Sequence, residues 1–383
     1  MLTAEGCAAR RQRLWAALPA PCDVLIVADP QHLVYFANYA QSPFTYRSSD
    51  AGAMLLLRPD RAILVADNLL KPFAEQAHVD EVRLPLWYEG KRSAPRRQAM
   101  LVRSVLDALG PIRPQRVGIE PSSVPAGIVQ GMVSARPDLE LVDLDSIIRD
   151  LRRVKDEDEL ALLRQSIRAG EAGHAAALAE IRPGMSEFEA YLLVQKAALE
   201  AAGDRYLLYG DFDSGPRAQN VVGPPTQRIM AAGDLFILDF SVVVFGYRGD
   251  FANTIVVGGR PSARQQELYE GCVAALAAGE ALLRPGASGR DIDAAIRRAF
   301  AERGLDPNYP THTGHGIGLS HPEPPYLVPE SDDVLRAGDV VTLEPGQYGP
   351  GFGGMRFERN YRITPEGFET LTKHKIALNL NQA

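Results

Sequence analysis

The chain has 383 residues, 46% of them hydrophobic and 23% charged, which excludes a disordered or low-complexity segment and allows two buried cores. Its formal net charge of -7 is spread without a basic block, which excludes the electrostatic footprint of a nucleic-acid or anionic-membrane surface and leaves small molecules or peptides as substrates. Cys7, Cys22 and Cys272 form no C-x-x-C pair, the opening MLTAEGCAARRQRLW has no signal-peptide core, and no apolar run reaches roughly 18 residues; reduced thiols in the cytoplasm and no membrane span are expected.

The first third alternates short apolar strands with polar helices. CDVLIVAD, HLVYFANY and AMLLLRPDRAILVAD read as strands, with Arg58-Pro59-Asp60-Arg61 turning a hairpin in the last of them. Tyr35, Phe36 and Tyr39 are expected in the core, while the longer aromatic stretch HLVYFANYAQSPFTYRSSD is also a candidate to border a substrate cleft. The composition shifts to dense mixed charge in SIIRDLRRVKDEDEL and then to an Ala-rich helical stretch through about Ile181. The predicted boundary is near Leu151, giving an α/β domain over 1–150 and a second domain over 151–383.

The second domain carries a faint internal repeat. Arg182-Pro183-Gly184 and Arg284-Pro285-Gly286 each follow a long helical pattern; Ser186 with Glu189 then forms a capping box, and Ser288 opens the corresponding helix. Gly233-Asp234 leads into a strand bearing Asp239, and Gly338-Asp339 leads into one bearing Glu344. The near-equal offsets (182 to 284, 239 to 344) predict two related halves, each of two helices and a β-hairpin.

Each half repeats its acids. Asp239 and Asp250 flank a turn at Phe245-Gly246-Tyr247, and Glu344 and Glu358 straddle the Gly-rich GQYGPGFGGMRFE, so two hairpins would bring four carboxylates to one centre. Like charges crowded at low dielectric are forced to take up protons unless cations balance them, and two divalent ions match four carboxylates. His312, His315 and His321 in HTGHGIGLSHPEPP offer nitrogen ligands that favour a transition metal over Mg²⁺. RYLLYGDFDSGPRAQ either lines the same pocket or is a surface loop.

Taken in order, RRVKDEDELALLRQSI, AAGDLFILDF, GYRGDFANT, HTGHGIGL, HPEPPYL, VVTLEPGQY and GGMRFERNYRIT resemble the creatinase, prolidase and aminopeptidase P group of the M24 pita-bread metallopeptidases. The resemblance implies an α+β fold, with a smaller creatinase-like α/β domain before a pita-bread catalytic domain of two pseudo-symmetric halves. It implies metal ligands at Asp239, Asp250, His315, Glu344 and Glu358 for two divalent ions, Mn²⁺ first and Co²⁺ or Zn²⁺ as alternatives. Glu344 is the implied proton acceptor for a metal-bridging water, Arg356 is expected to contact the substrate or a ligand carboxylate, and the resemblance implies a homodimer acting on a small peptide or amide.

Three positions depart from the pattern. Val222, Thr311 and Pro322 stand where the peptidases carry histidines that bind the substrate carbonyl or assist proton transfer, while His312 and His321 are displaced by one residue from two of these places and are expected to serve in their stead. The leading reading is an Xaa-Pro dipeptidase-like or aminopeptidase-like hydrolase. The alternatives are a non-peptidase enzyme of the same fold, either an amidinohydrolase or a lyase, and a non-catalytic binding protein, which the five retained ligand positions disfavour.

Overall fold

The computed structural model describes residues 1–40, 52–91, 96–203 and 206–379, which fall into two compact units, Met1–Arg152 and Arg153–Ala383. Among the described residues no helix is long and apolar enough to cross a membrane.

The first unit is a six-stranded mixed sheet with helices α1 (Ala4–Ala16), α2 (Pro30–Ala37), α3 (Lys71–Ala74), α4 (Arg97–Leu109), α5 (Ala126–Ala135) and α6 (Asp145–Leu151). Its strands β1 (Val24–Val27), β2 (Ala53–Arg58), β3 (Arg61–Ala66), β4 (Glu81–Arg83), β5 (Arg116–Ile119) and β6 (Glu140–Asp143) lie in the order β4-β3-β2-β1-β5-β6. Arg58 pairs with Arg61, so Pro59-Asp60 makes the expected tight turn. Val24, Ile26, Leu56, Val65, Val105 and Ile128 share one core.

HLVYFANY is a helix here, contrary to the strand expected of it. The Asp29 side chain accepts from Gln31 N, Pro30 occupies the first turn, and Asn38 ends the helix at φ 54. Leu33 to Ala37 are all buried, so no polar face interrupts the run and the 3.6-residue period is invisible in the sequence. Tyr35, Phe36 and Tyr39 are core residues, whereas 41–50 of the aromatic stretch lie outside the described residues.

The second unit contains helices α7 (Glu157–Glu180), α8 (Glu187–Ala202), α9 (Ala263–Glu280) and α10 (Gly289–Ala301). Strands β7 (Leu207–Ser214), β8 (Leu235–Val244), β9 (Tyr247–Arg248) and β10 (Phe251–Val256) form one sheet, ordered β10-β8-β7 with β9 on β8. Strands β11 (Gly314–Gly316), β12 (Glu323–Leu327), β13 (Val340–Leu343), β16 (Arg359–Ile363) and β17 (Phe368–Thr370) form the other, and β14 (Gly346–Gly349) with β15 (Gly353–Arg356) makes a ribbon between β13 and β16.

The two halves repeat at the level of single hydrogen bonds. Gly184 and Gly286 turn at φ 91 and φ 85, and their amides donate to Met230 O and Leu335 O, both at 2.9 Å. Ser186 bridges to Ile229 and Ser288 to Val334, each antiparallel. Asp234 accepts from Ala231 N at 2.8 Å and Asp339 from Arg336 N at 2.7 Å, each closing the turn that launches an acid-bearing strand. Phe245 and Gly246, at φ 48 and φ 88, form the two-residue reversal of the first hairpin.

Behind β8 and β10 the core is aromatic. His174 on α7 stacks on Phe240 and faces His374, with ring centroids 4.6 and 5.1 Å apart, and the two imidazoles donate from Nε2 to Phe251 O and Ala252 O, both at 3.3 Å. Burial first, then the neighbouring His374, holds His174 well below its ordinary range; burial and then Arg359 push His374 down to about 4. Both are neutral in the folded state at pH 7. Below pH 6.5 the unfolded chain takes up protons that the folded one refuses, so stability is fully present above 6.5 and is lost as pH falls toward 4. Urea unfolding at several pH values should show this decline, and His374→Gln should flatten its slope by about 1.4 kcal/mol per pH unit. An unchanged slope would contradict a buried neutral histidine pair.

Candidate functional site

Asp239 lies in the middle of β8, opposite Ala252 on β10 and Asp211 on β7. Asp250 directly precedes β10, Glu344 directly follows β13 and Glu358 directly precedes β16, and the Leu343–Arg359 pair brings the two glutamates to the same end of their ladder. His315 is central in β11 between β12 and β13. Glycine on both sides of it is a packing requirement: a Cβ at Gly314 would stand 2.1 Å from Thr342 O, and one at Gly316 2.3 Å from Pro324 O.

These elements bring the predicted residues together. Ligand atoms of Asp239, Asp250 and Glu358, of Asp250, His315 and His321, and of His312, His315 and Glu344 form three groups, each within 4.8 Å. Shared Asp250 and His315 join the three into one cluster. All four acids and His315 are largely withdrawn from solvent.

Several neighbours orient the cluster. The Thr342 hydroxyl donates to Glu358 Oε1 at 2.5 Å and the Ser241 hydroxyl to Asp250 Oδ1 at 3.3 Å. Asn360 holds the Asp250 main chain by accepting from its N–H at 3.0 Å and donating to its carbonyl. His315 Nδ1 lies 2.9 Å from Gly316 O; a carbonyl only accepts, so Nδ1 carries the proton and the lone pair of Nε2 faces the acids.

The electrostatics describe a centre short of positive charge. Burial, then Asp250, Asp239 and Glu344, pushes Glu358 well above the ordinary carboxylate range. Burial also takes Asp239 to about 7 against the opposing pull of Arg356. Burial acts the same way on Asp250 and Glu344, but His321 beside the first and His312 beside the second outweigh it and hold both acids low. His321 is carried in return to about 9, its burial overcome by Asp250 Oδ2 at 2.5 Å.

Among the described residues of this acid-and-histidine cluster, two buried atoms lack a hydrogen bond: His315 Nε2 and Glu344 Oε1. They lie 3.3 Å apart, and Glu344 Oε1 is 2.9 Å from His312 Nε2, yet no donor is aligned on it. An inward lone pair, an undonated carboxylate oxygen and four crowded acids fit divalent cations.

Residues 161–365 match metallopeptidase family M24, and residues 10–154 match the creatinase/prolidase N-terminal domain. The chain is 32% identical over 262 residues to the Xaa-Pro dipeptidase of Pyrococcus horikoshii, covering 67% of this chain and 73% of that one. It is 30% identical over 272 residues to the peptidase YqhT of Bacillus subtilis, covering 71% and 77%. The solved Xaa-Pro dipeptidase from Bacillus anthracis matches with a TM-score of 0.82 and 27% identity, over 97% of this chain and 99% of that one. The chain belongs to metallopeptidase family M24. It is therefore a metallohydrolase with the creatinase-like and pita-bread architecture expected of it.

Within this M24 site the displaced histidines flank His315. The His312 and His321 rings approach the His315 ring at 4.9 and 5.1 Å, both edge-on, and their nitrogens reach Glu344 and Asp250. Thr311 Oγ1 is buried without a partner, and Val222 is 63% exposed and offers no donor.

Of the two contacts expected of Arg356, the structure shows the one to a carboxylate. Arg356 is 3% exposed, its Nη2 pairs with Asp239 Oδ2 and lies 3.2 Å from Asp211 Oδ2, and its Nη1 donates to the Tyr348 hydroxyl at 3.0 Å.

Sequence reasoning missed Asp211, Ser241, Thr342 and Asn360 as parts of the site. Asp211 lay in a stretch read only as pocket lining or surface loop, and its relevance comes from strand pairing across β7 and β8. The other three carry no spacing signal of their own. Removing the buried cation between Asp239 and Asp211 by Arg356→Ala should cost about 3–5 kcal/mol in urea unfolding with chelator present. A loss below about 1 kcal/mol, the range of exposed pairs, would contradict this arrangement.

Proposed function

We propose that the chain is a dinuclear metal-dependent peptidase that hydrolyses a small Xaa-Pro-type peptide or a related amide. The supporting observation is the cluster of Asp239, Asp250, His315, Glu344 and Glu358, in which His315 Nε2 and Glu344 Oε1 are buried with nothing donated to them. These five residues would hold the cations, with Mn²⁺ favoured and Co²⁺ or Zn²⁺ as substitutes. When bound, such a pair supplies a bridging water of lowered pKa and polarises the scissile carbonyl.

The chain's own groups divide the remaining work. Glu344, through its undonated Oε1, accepts the proton of the attacking water. His312 has a side chain 41% exposed and so reaches both Glu344 and the cleft, where its N–H donates to the carbonyl oxygen as charge develops there. His321, on Asp250, is placed to do the same from the other side of His315. Thr342 and Ser241 keep Glu358 and Asp250 in place.

Peptide specificity is supported by the similarity to two Xaa-Pro dipeptidases. Exposed Val222 favours keeping non-peptide amides in view, because it presents an apolar side chain where the resemblance calls for a histidine.

The test is a hydrolysis screen of Ala-Pro and Gly-Pro, longer Xaa-Pro peptides and non-peptide amides, with Mn²⁺, Co²⁺ and Zn²⁺ in parallel. Cleavage of Xaa-Pro peptides that is lost in chelator, and a kcat lowered by about 100-fold or more in Glu344→Gln, is the expected outcome. Hydrolysis of amides but of no peptide would sink the peptidase reading, and full activity in Glu344→Gln would remove Glu344 from its role.

A further inference from the structure

Helix α10 presents Asp293 and Arg297 one turn apart on one face, turned to the segment that leads into His315. Arg297 Nε lies 3.0 and 2.9 Å from the two Asp293 oxygens, Nη1 donates to Pro307 O at 2.8 Å, Nη2 donates to Thr311 O at 3.3 Å, and Cζ stands 4.6 Å from the centre of the Tyr309 ring. Asp293 also accepts from the Thr313 hydroxyl. That hydroxyl has one hydrogen, so its oxygen accepts in turn from the Tyr309 phenol, 2.8 Å away. Burial holds the phenol well above its ordinary range, so it keeps the proton it donates.

Asp293, Tyr309 and Thr313 are all buried, and a carboxylate is buried at a cost unless it is paired and hydrogen-bonded. Here the pairing fastens residues 307, 309, 311 and 313 to one helix, and His312 sits between the last two. Thr313 reaches α10, whereas His312 beside it reaches Glu344 at 2.9 Å. The Thr313 carbonyl also accepts from the Glu344 N–H at 2.8 Å, so one residue ties the main chain of both partners in that contact. Thr311, where the resemblance calls for a histidine, has its carbonyl held by Arg297 and its hydroxyl buried without a partner.

We propose that Asp293, acting through Thr313, is a positioning residue that sets the register of this segment, so that residue 312 and not 311 faces the acids and delivers a histidine to the reacting carbonyl. This rests on the peptidase reading above, in which His312 donates to the carbonyl oxygen, and goes beyond it by naming the groups that place His312. A donor to developing charge works only within hydrogen-bond reach, and a misplacement of about 1 Å costs about 100-fold in rate. The His312 side chain is partly exposed, so packing alone does not aim it and the setting of the 311–313 main chain does. Without the Thr313 hydroxyl the link to α10 is cut, and the Tyr309 phenol and Asp293 Oδ1 each lose a buried partner, which the segment relieves by shifting.

The experiment measures kcat and KM for an Xaa-Pro dipeptide in the unaltered full-length protein, Thr313→Val, Thr313→Ser, His312→Ala and the double variant of His312→Ala with Thr313→Val, together with metal content by elemental analysis and folding by thermal melting. Thr313→Val, which keeps the shape and removes the hydroxyl, should lower kcat by about 10- to 100-fold with KM changed by less than about threefold. Thr313→Ser, which keeps the hydroxyl, should stay within about threefold of the unaltered kcat. In the His312→Ala background Thr313→Val should change kcat by less than about threefold, because the side chain it positions is gone. Both Thr313 variants should hold as much metal as the unaltered protein. If Thr313→Val does not fold, Tyr309→Phe, which removes the donor to Thr313 and leaves the ring on Arg297, is compared in the same two backgrounds and should lose about 3- to 10-fold in kcat only where His312 is present. An unchanged kcat in Thr313→Val, an equal loss with and without His312, or a loss of metal in Thr313→Val would overturn the proposal while leaving the peptidase reading intact. Full activity in His312→Ala would take from His312 the role it is given above, and this inference with it. Failure of the unaltered protein to cleave any Xaa-Pro peptide with Mn²⁺, Co²⁺ or Zn²⁺ would overturn the peptidase reading itself.

Discussion

Four carboxylates and one inward imidazole lone pair meet where two β-hairpins face each other, and the rest of the second unit is arranged to hold them there. Left to themselves the acids cannot all be charged: burial and mutual repulsion lift Glu358 and Asp239, while histidines hold Asp250 and Glu344 down. The frame has to resist that repulsion. It does so with continuous ladders through β7, β8 and β10, with glycines that let β11 press against β13, and with Arg356 buried against Asp239.

The pseudo-symmetry explains how one chain assembles such a centre. Each half uses the same glycine turn, the same serine bridge and the same aspartate-closed turn to launch a strand carrying an acid. The halves diverge in the return. The first reverses in two residues at Phe245-Gly246, whereas the second inserts the ribbon of β14 and β15, which brings Arg356 and Tyr348 to the first half's acid. The unequal returns thus let one half supply the counter-charge for the other.

Much of this was legible in the sequence because it is periodic or repeated. An acid inside the apolar run GDLFILDF has few uses, and the recurrence of the pattern in GDVVTLEP turned an oddity into a ligand set. What stayed hidden depends on partners far along the chain. Asp211 acquires meaning only through its pairing with Asp239, and Thr342 and Asn360 only through the side chains they hold. HLVYFANY misled for a different reason: a helix buried on every side shows no polar face, so its caps at Asp29 and Asn38 were the only helical signal available. The role of Arg356 turned on burial, which a Gly-rich strand does not reveal.

His312 and His321, each displaced by one residue from the positions the resemblance calls for, lie with their rings against His315 and reach the acids. All of this rests on the claim that the cluster exists to hold a pair of divalent cations. Elemental analysis of protein purified without chelator and dialysed against metal-free buffer tests that claim most directly. The account predicts about two tightly held transition-metal ions per chain, and fewer than about one in Asp250→Ala. Fewer than about one in the unaltered protein, with no uptake on adding Mn²⁺, Co²⁺ or Zn²⁺, would contradict it.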